Sequence, residues 1–209
     1  MAKAGRASRP GQTAPATTAK RQALIEAAIQ SLRFDGYAGA SARAIAARAE
    51  SNQSLVFYHF GSVADLLLAA LDEVSARRQR RYSSAVAGVH TPAELVAAAT
   101  EIFREDLDEG YVTVLVEMIA GTATSPELGA EVARRIAPWR TFARDTIEAG
   151  IAATPLASLV PVDDAAYAVV ALYLGMEMLS HLDGDRAPAL SLFDQAARFA
   201  TLFGKETTP

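Results

Sequence analysis

The chain has 209 residues, 51% of them hydrophobic, which is enough apolar side chain to build a real core in one large or two modest domains. It contains no cysteine, which excludes disulfides, thiolate metal sites and cysteine nucleophiles and fits a reducing, cytoplasmic setting. A net charge of −4 conceals an asymmetry: residues 1–81 carry 12 of the 20 Lys+Arg but 6 of the 24 Asp+Glu, so a basic front precedes an acidic remainder, as suits a front end that meets phosphates.

Residues 1–19 carry Lys3, Arg6 and Arg9 among Ala, Thr, Gly and Pro, with no apolar run behind them to serve as a signal peptide; they read as a disordered basic arm. Alanine is abundant and runs of alternating β-branched residues are missing, so an all-α fold is expected. A first helix is predicted from about Ala19 to Asp35, with Leu24, Ala28, Leu32 and Phe34 on its apolar stripe and Gly36 ending it. Ser41 caps a second, from Ala42 to about Ala49, with Ile45 and Ala49 inward, and Asn52 caps a third, from Gln53 to about His59. That is a helix-turn-helix layout within residues 20–61. Ser62 and Asp65 open a long helix over 62–81 that ends in Arg77, Arg78, Arg80 and Arg81 and connects to the rest of a second domain, 62–209.

Further along, Thr91-Pro92-Ala93-Glu94 has the form of a capping box with proline in the first turn, and Ser125-Pro126-Glu127 starts a helix to about Ala152 that Pro138 should kink. Ala165 to Leu182 approaches the length of a membrane span. Glu177 inside the run and Asp163, Asp164, Asp183 and Asp185 around it point instead to a helix buried on all sides in protein, with no membrane partner. A last helix is expected from about Pro188 to Phe203, stopped by Gly204, for nine helices in all.

The runs Ala42-Arg43-Ala44-Ile45-Ala46, Phe57-Tyr58-His59-Phe60-Gly61-Ser62 and Asp65-Leu66-Leu67 resemble the DNA-binding region of TetR-family regulators, and Ile25, Ala28, Phe34, Gly36 and Tyr37 extend the likeness over about residues 20–75. The resemblance implies a nine-helix architecture: a three-helix DNA-binding domain followed by a helical ligand-binding and dimerisation domain. It also implies a function, that of a transcription repressor that binds a pseudo-palindromic operator in double-stranded DNA as a homodimer and is released by a small apolar effector. Ser41, Arg43, Asn52, Gln53, Ser54, Phe57, Tyr58 and His59 are the residues expected at DNA. Gln53 is suited to pair with adenine and Arg43 to reach guanine or phosphate, while Tyr58 and His59 can donate to phosphate oxygens. Four positions depart from the family pattern: Glu50 and Ser51 stand where glycine and an apolar residue make the turn, Phe57 replaces a tyrosine, and Val63 stands where a lysine often lies.

In the second half, Phe103, Met118, Trp139, Phe142 and Tyr173 supply the wall expected of an effector pocket, with Glu117 and Glu177 as its polar members. Glu117 is the preferred anchor for a ligand cation or donor, the alternative being that Arg104 or Arg144 already satisfies it. Ala168, Ala171, Leu172, Gly175, Met176 and Leu179 on the eighth helix are expected to face Phe193, Ala196, Ala197 and Ala200 on the ninth in a two-fold dimer. Nothing points to an enzyme, a metal or a cofactor: the three histidines are far apart, and Walker, GxSxG and dinucleotide patterns are missing. A ligand-binding protein of the same fold without DNA binding is the second reading, and a helical enzyme using the same cavity the third.

Overall fold

A computed structural model describes residues 13–203, with side chains from Thr17 to Leu202. Among these residues there are nine α-helices, a short 3-10 turn at Pro155–Ser158 and no strand. The chain divides into two compact units, one reaching to Ala70 and the other starting at Leu71.

The first unit holds α1 (Thr13–Gly39), α2 (Ala42–Arg48), α3 (Gln53–Phe60) and the start of α4 (Val63–Ala85). Helix α1 begins at Thr13, ahead of the expected Ala19, so part of the arm is helical; Lys3, Arg6 and Arg9 lie outside the described residues. Gly36 breaks the helical backbone at φ 70, a conformation open to glycine at no steric cost. Leu24, Ala28 and Leu32 are fully buried, but Phe34 is exposed and lies against the Arg33 guanidinium. Two residues beyond Leu32 is about 200° around a helix, so Phe34 could not share its stripe. Ile45 of α2 and Val56 of α3 complete the core with Leu66, whereas Ala49 is only half-buried.

Polar contacts set the packing of these short helices. Arg48 Nη1 donates to Ser31 Oγ (2.6 Å) and to Asp35 (2.7 Å), tying α2 to α1, and the Arg21 guanidinium lies 4.9 Å from the Phe60 ring centroid, tying α3 to α1. Ser62 Oγ accepts the Asp65 amide (3.0 Å) and its hydroxyl donates back to the Asp65 carboxylate (2.6 Å), which starts α4.

The second unit contains the rest of α4, then α5 (Pro92–Glu109), α6 (Tyr111–Gly121), α7 (Pro126–Ile151), α8 (Val162–Asp183) and α9 (Ala187–Phe203). The capping box of α5 is complete: Thr91 Oγ1 accepts the Glu94 amide (3.2 Å) and Glu94 accepts the Thr91 and His90 amides (3.1 and 2.9 Å). Helix α7 runs unbroken through Pro138. It packs on α8, and α5 packs on α9. At Gly150 a Cβ would sit 3.2 Å from the Leu95 side chain, so glycine permits the close approach of α7 to α5. One core cluster joins Phe103, Met176 and Ala189, with Phe193 and Tyr173 packed on it; another joins Ile147, Ile151 and Ala166.

Helix α8 is long and apolar enough to cross a membrane by length and composition. The expectation that it is buried on all sides fails within a single chain: Tyr167, Leu172, Met178, Leu179 and Leu182 are exposed, and only one face, with Ala166, Met176 and Ser180, is enclosed.

Candidate DNA-binding surface and buried cavity

Side chains four places apart share a helix face, and the pairs Gln53/Phe57 and Ser54/Tyr58 together form the exposed side of α3. Phe57 is 51% and Tyr58 76% exposed, so neither belongs to the core. The side chains of Arg43, on α2, and Gln53 make no hydrogen bond or ion pair among the described residues, and both line an open groove with Lys20, Glu50 and Asn52. The two caps already have local work. Ser41 Oγ accepts the Ala44 amide (3.2 Å), and Asn52 Oδ1 accepts the amide of Ser54 (2.9 Å) and its hydroxyl (3.1 Å). His59 is half-buried, edge-on to Tyr58 at 4.9 Å between ring centroids.

The turn between α2 and α3 is reached by Glu50 at φ 47, the one non-glycine residue with positive φ among those described. A side chain in this left-handed region costs roughly 1–2 kcal/mol. Glu50→Gly should therefore raise stability by about 1 kcal/mol in urea unfolding; a loss instead would mean that the carboxylate makes a compensating contact.

In the second unit a cavity of about 140 Å³ is walled mainly by apolar side chains of α5, α7 and α8. Of the residues expected there, Trp139, Phe142 and Tyr173 line it. Phe103 and Met118 are fully buried and do not line it, with Phe103 packed on Tyr173 (5.5 Å between centroids) and Phe193 (5.1 Å). Glu117 and Glu177 border a separate cavity of about 320 Å³ with Thr113, Ser180, His181 and Arg186. Arg104 and Arg144 are engaged by Glu101 and Asp145.

The polar side of the first cavity is Arg78, which sequence reasoning left in a basic cluster. Arg78 is 7% exposed and its Nη2 meets Asp106 Oδ2 at 2.5 Å. Its Nε and Nη2 donate to the Tyr82 hydroxyl (2.9 and 2.7 Å), and the Tyr82 and Tyr173 hydroxyls are 3.2 Å apart. Tyr173 also donates to Asp106, whose Oδ1 is buried without a partner. The Arg78 guanidinium lies 5.2 Å from the Trp139 centroid and 5.3 Å from that of Tyr82. Burial raises the Asp106 carboxyl above its ordinary range, against the pull of Arg78. Burial, reinforced by the charge of Asp106, pushes Glu177 up to about 7, and its Oε1 has no partner. The readable signal was Asp106 itself, since a carboxylate one turn along from buried Ile102 and Phe103 requires a buried cation.

The residues expected at a dimer face divide into two sets. Ala168, Ala171, Leu172, Leu179 and Ala197 are exposed, and Gly175 and Ala196 partly so. Met176 and Ala200 are buried and Phe193 packs on Phe103, all turned into the chain's own core. Leu182 on α8 and Leu192, Phe199 and Leu202 on α9 are exposed in addition.

Residues 24–70 match the family model described as bacterial regulatory proteins, tetR family. An uncharacterized HTH-type transcriptional regulator of Mycobacterium tuberculosis is 30% identical over 105 residues, which are 50% of this chain and 54% of that protein. The chain thus spans about half the length of the curated relatives it matches. Among solved structures, a TetR-family transcriptional regulator from Cytophaga hutchinsonii shares the fold with a TM-score of 0.75 at 19% identity, over 91% of this chain and 98% of that one. A TetR transcriptional regulator from Chloroflexus aurantiacus does so at 0.73 and 23% identity, over 90% and 96%.

Proposed function

Because the chain belongs to the tetR family of bacterial regulatory proteins, we propose that it is a cytoplasmic, non-enzymatic transcription repressor that binds a pseudo-palindromic operator as a homodimer and is released by a small apolar effector. The observation that carries this reading is the exposed face of α3, Gln53, Ser54, Phe57 and Tyr58, beside an Arg43 with no partner among the described residues. Ser41 and Asn52 hold the helix ends whose amides face phosphates, and His59 lies at the far end of α3. Selection of bound fragments from a random DNA library should return a two-fold motif with half-sites one helical turn, or a multiple of it, apart. Arg43→Ala and Gln53→Ala should each cost roughly 1–3 kcal/mol and relax preference at defined positions. Failure to enrich any sequence would favour the second reading, a ligand-binding protein without an operator. The Glu50 carboxylate, in the same groove as Lys20 and Arg43, is the observation on that side.

The dimer rests on the exposed apolar surface that α8 and α9 share, more than a lone chain leaves to water without use. Leu179→Arg should shift light scattering from dimer to monomer at micromolar concentration; an unchanged mass would place the interface elsewhere. The effector occupies the cavity beside Trp139 and Phe142. Its influence on the DNA-binding unit passes through α4, which carries Arg78 and Tyr82 and begins in that unit. Effector and operator then lower each other's affinity by one common factor.

A further inference from the structure

We propose that the cavity beside Trp139 and Phe142 takes a neutral, ring-sized molecule bearing a carbonyl-type acceptor, which receives a hydrogen bond from Arg78 Nη1. This deepens, and rests on, the reading of that cavity as the effector site.

Size comes first. A volume of about 140 Å³ is close to that of engineered apolar cavities of roughly 150 Å³ that admit benzene, so the enclosed part of the ligand is about one ring. The walls from Leu95, Ile102, Trp139, Phe142 and Val170 offer it no polar group, and exposed Val169 marks where the cavity reaches the surface.

The charge balance then chooses the head group. Nε and Nη2 of Arg78 are taken by Tyr82, Tyr173 and Asp106, and Nη1 makes no hydrogen bond among the described residues. A guanidinium has only donors, so what completes it must accept. Its charge is already balanced by the fully buried Asp106, and Glu177 stands behind Tyr173 as a second carboxyl group. A ligand carboxylate would therefore bring an unbalanced charge into an apolar space, and an ammonium would meet the guanidinium itself. A carbonyl oxygen avoids both costs and gains a hydrogen bond to a charged donor.

Ethylbenzene, acetophenone and benzoate are nearly equal in size and separate these cases in a calorimetric titration of the full chain. Acetophenone should bind about tenfold or more tighter than ethylbenzene, with benzoate weakest. Val169→Trp, at the mouth and away from Arg78, should abolish binding of the first two. Equal affinity for ethylbenzene and acetophenone would overturn the acceptor while leaving the effector cavity standing. Benzoate as the tightest probe would overturn the neutral head group. No binding of either neutral probe, or binding untouched by Val169→Trp, would remove the cavity reading and the proposal with it.

Discussion

Asp106→Ala is expected to cost about 3–5 kcal/mol of stability. The substitution leaves Arg78, 7% exposed, with two tyrosine hydroxyls and no directly paired carboxylate. Asp106 is fully buried, so its loss leaves Arg78 Nη2 without its carboxylate acceptor in the protein interior. Removing both charges has a different outcome: Arg78→Met with Asp106→Leu should recover most of the loss, since a buried ion pair exchanged for packed apolar groups is often neutral or stabilising. Urea unfolding at fixed protein concentration measures both. A cost below 1 kcal/mol for Asp106→Ala would mean that solvent reaches Arg78 after all. Asp106 Oδ1 has no partner even in the intact protein, so some of the carboxylate's desolvation is uncompensated and the double variant has room to gain.

Glu177→Gln is expected to act in the opposite direction, stabilising the protein at alkaline pH. The folded protein raises this carboxyl from 4.5 to about 7, chiefly by burial, so between those values the native state keeps a proton that the unfolded chain has released. Stability therefore falls as pH rises through that window, by about 3 kcal/mol once Glu177 is fully ionised. Glutamine removes the dependence. The variant should match the parent near pH 4 and exceed it by about 2–3 kcal/mol at pH 8, which unfolding midpoints across the range will show. Equal stability at pH 8 would mean that Glu177 Oε1 finds a donor when ionised.

What the sequence made legible was local. The capping box at Thr91 and Glu94, the caps Ser41 and Asn52, and the stop at Gly36 each depend on residues within one turn, and each is found where the pattern puts it. The outward face of α3 follows from its short length and its single buried residue, Val56. Arg78 was not legible, because its partners Asp106 and Tyr173 lie 28 and 95 residues away and three other arginines stand within three positions of it. Glu117 and Glu177 were recognisable as carboxylates among apolar neighbours, but no local pattern says which of two cavities a helix face borders. The same limit explains α8. Its apolar run is evident, yet periodicity does not distinguish a face covered by the same chain from one left for another.

In the effector reading proposed above, Pro138 sets how strictly the cavity measures its guest. The ring has no amide to offer, so the Arg134 carbonyl one turn back loses its usual donor and α7 is softest there. Ile136 and Trp139, on either side of this weak rung, both line the cavity, while Arg135 clamps the earlier half of α7 to Asp72 of α4 at 2.7 and 3.0 Å. A guest one methylene too large can be met by a few degrees of extra curvature at Pro138 instead of a steric clash. Affinity along a homologous series should then decline gradually, and under that reading the bend that admits a larger guest is felt at the Arg135–Asp72 contact between α7 and α4.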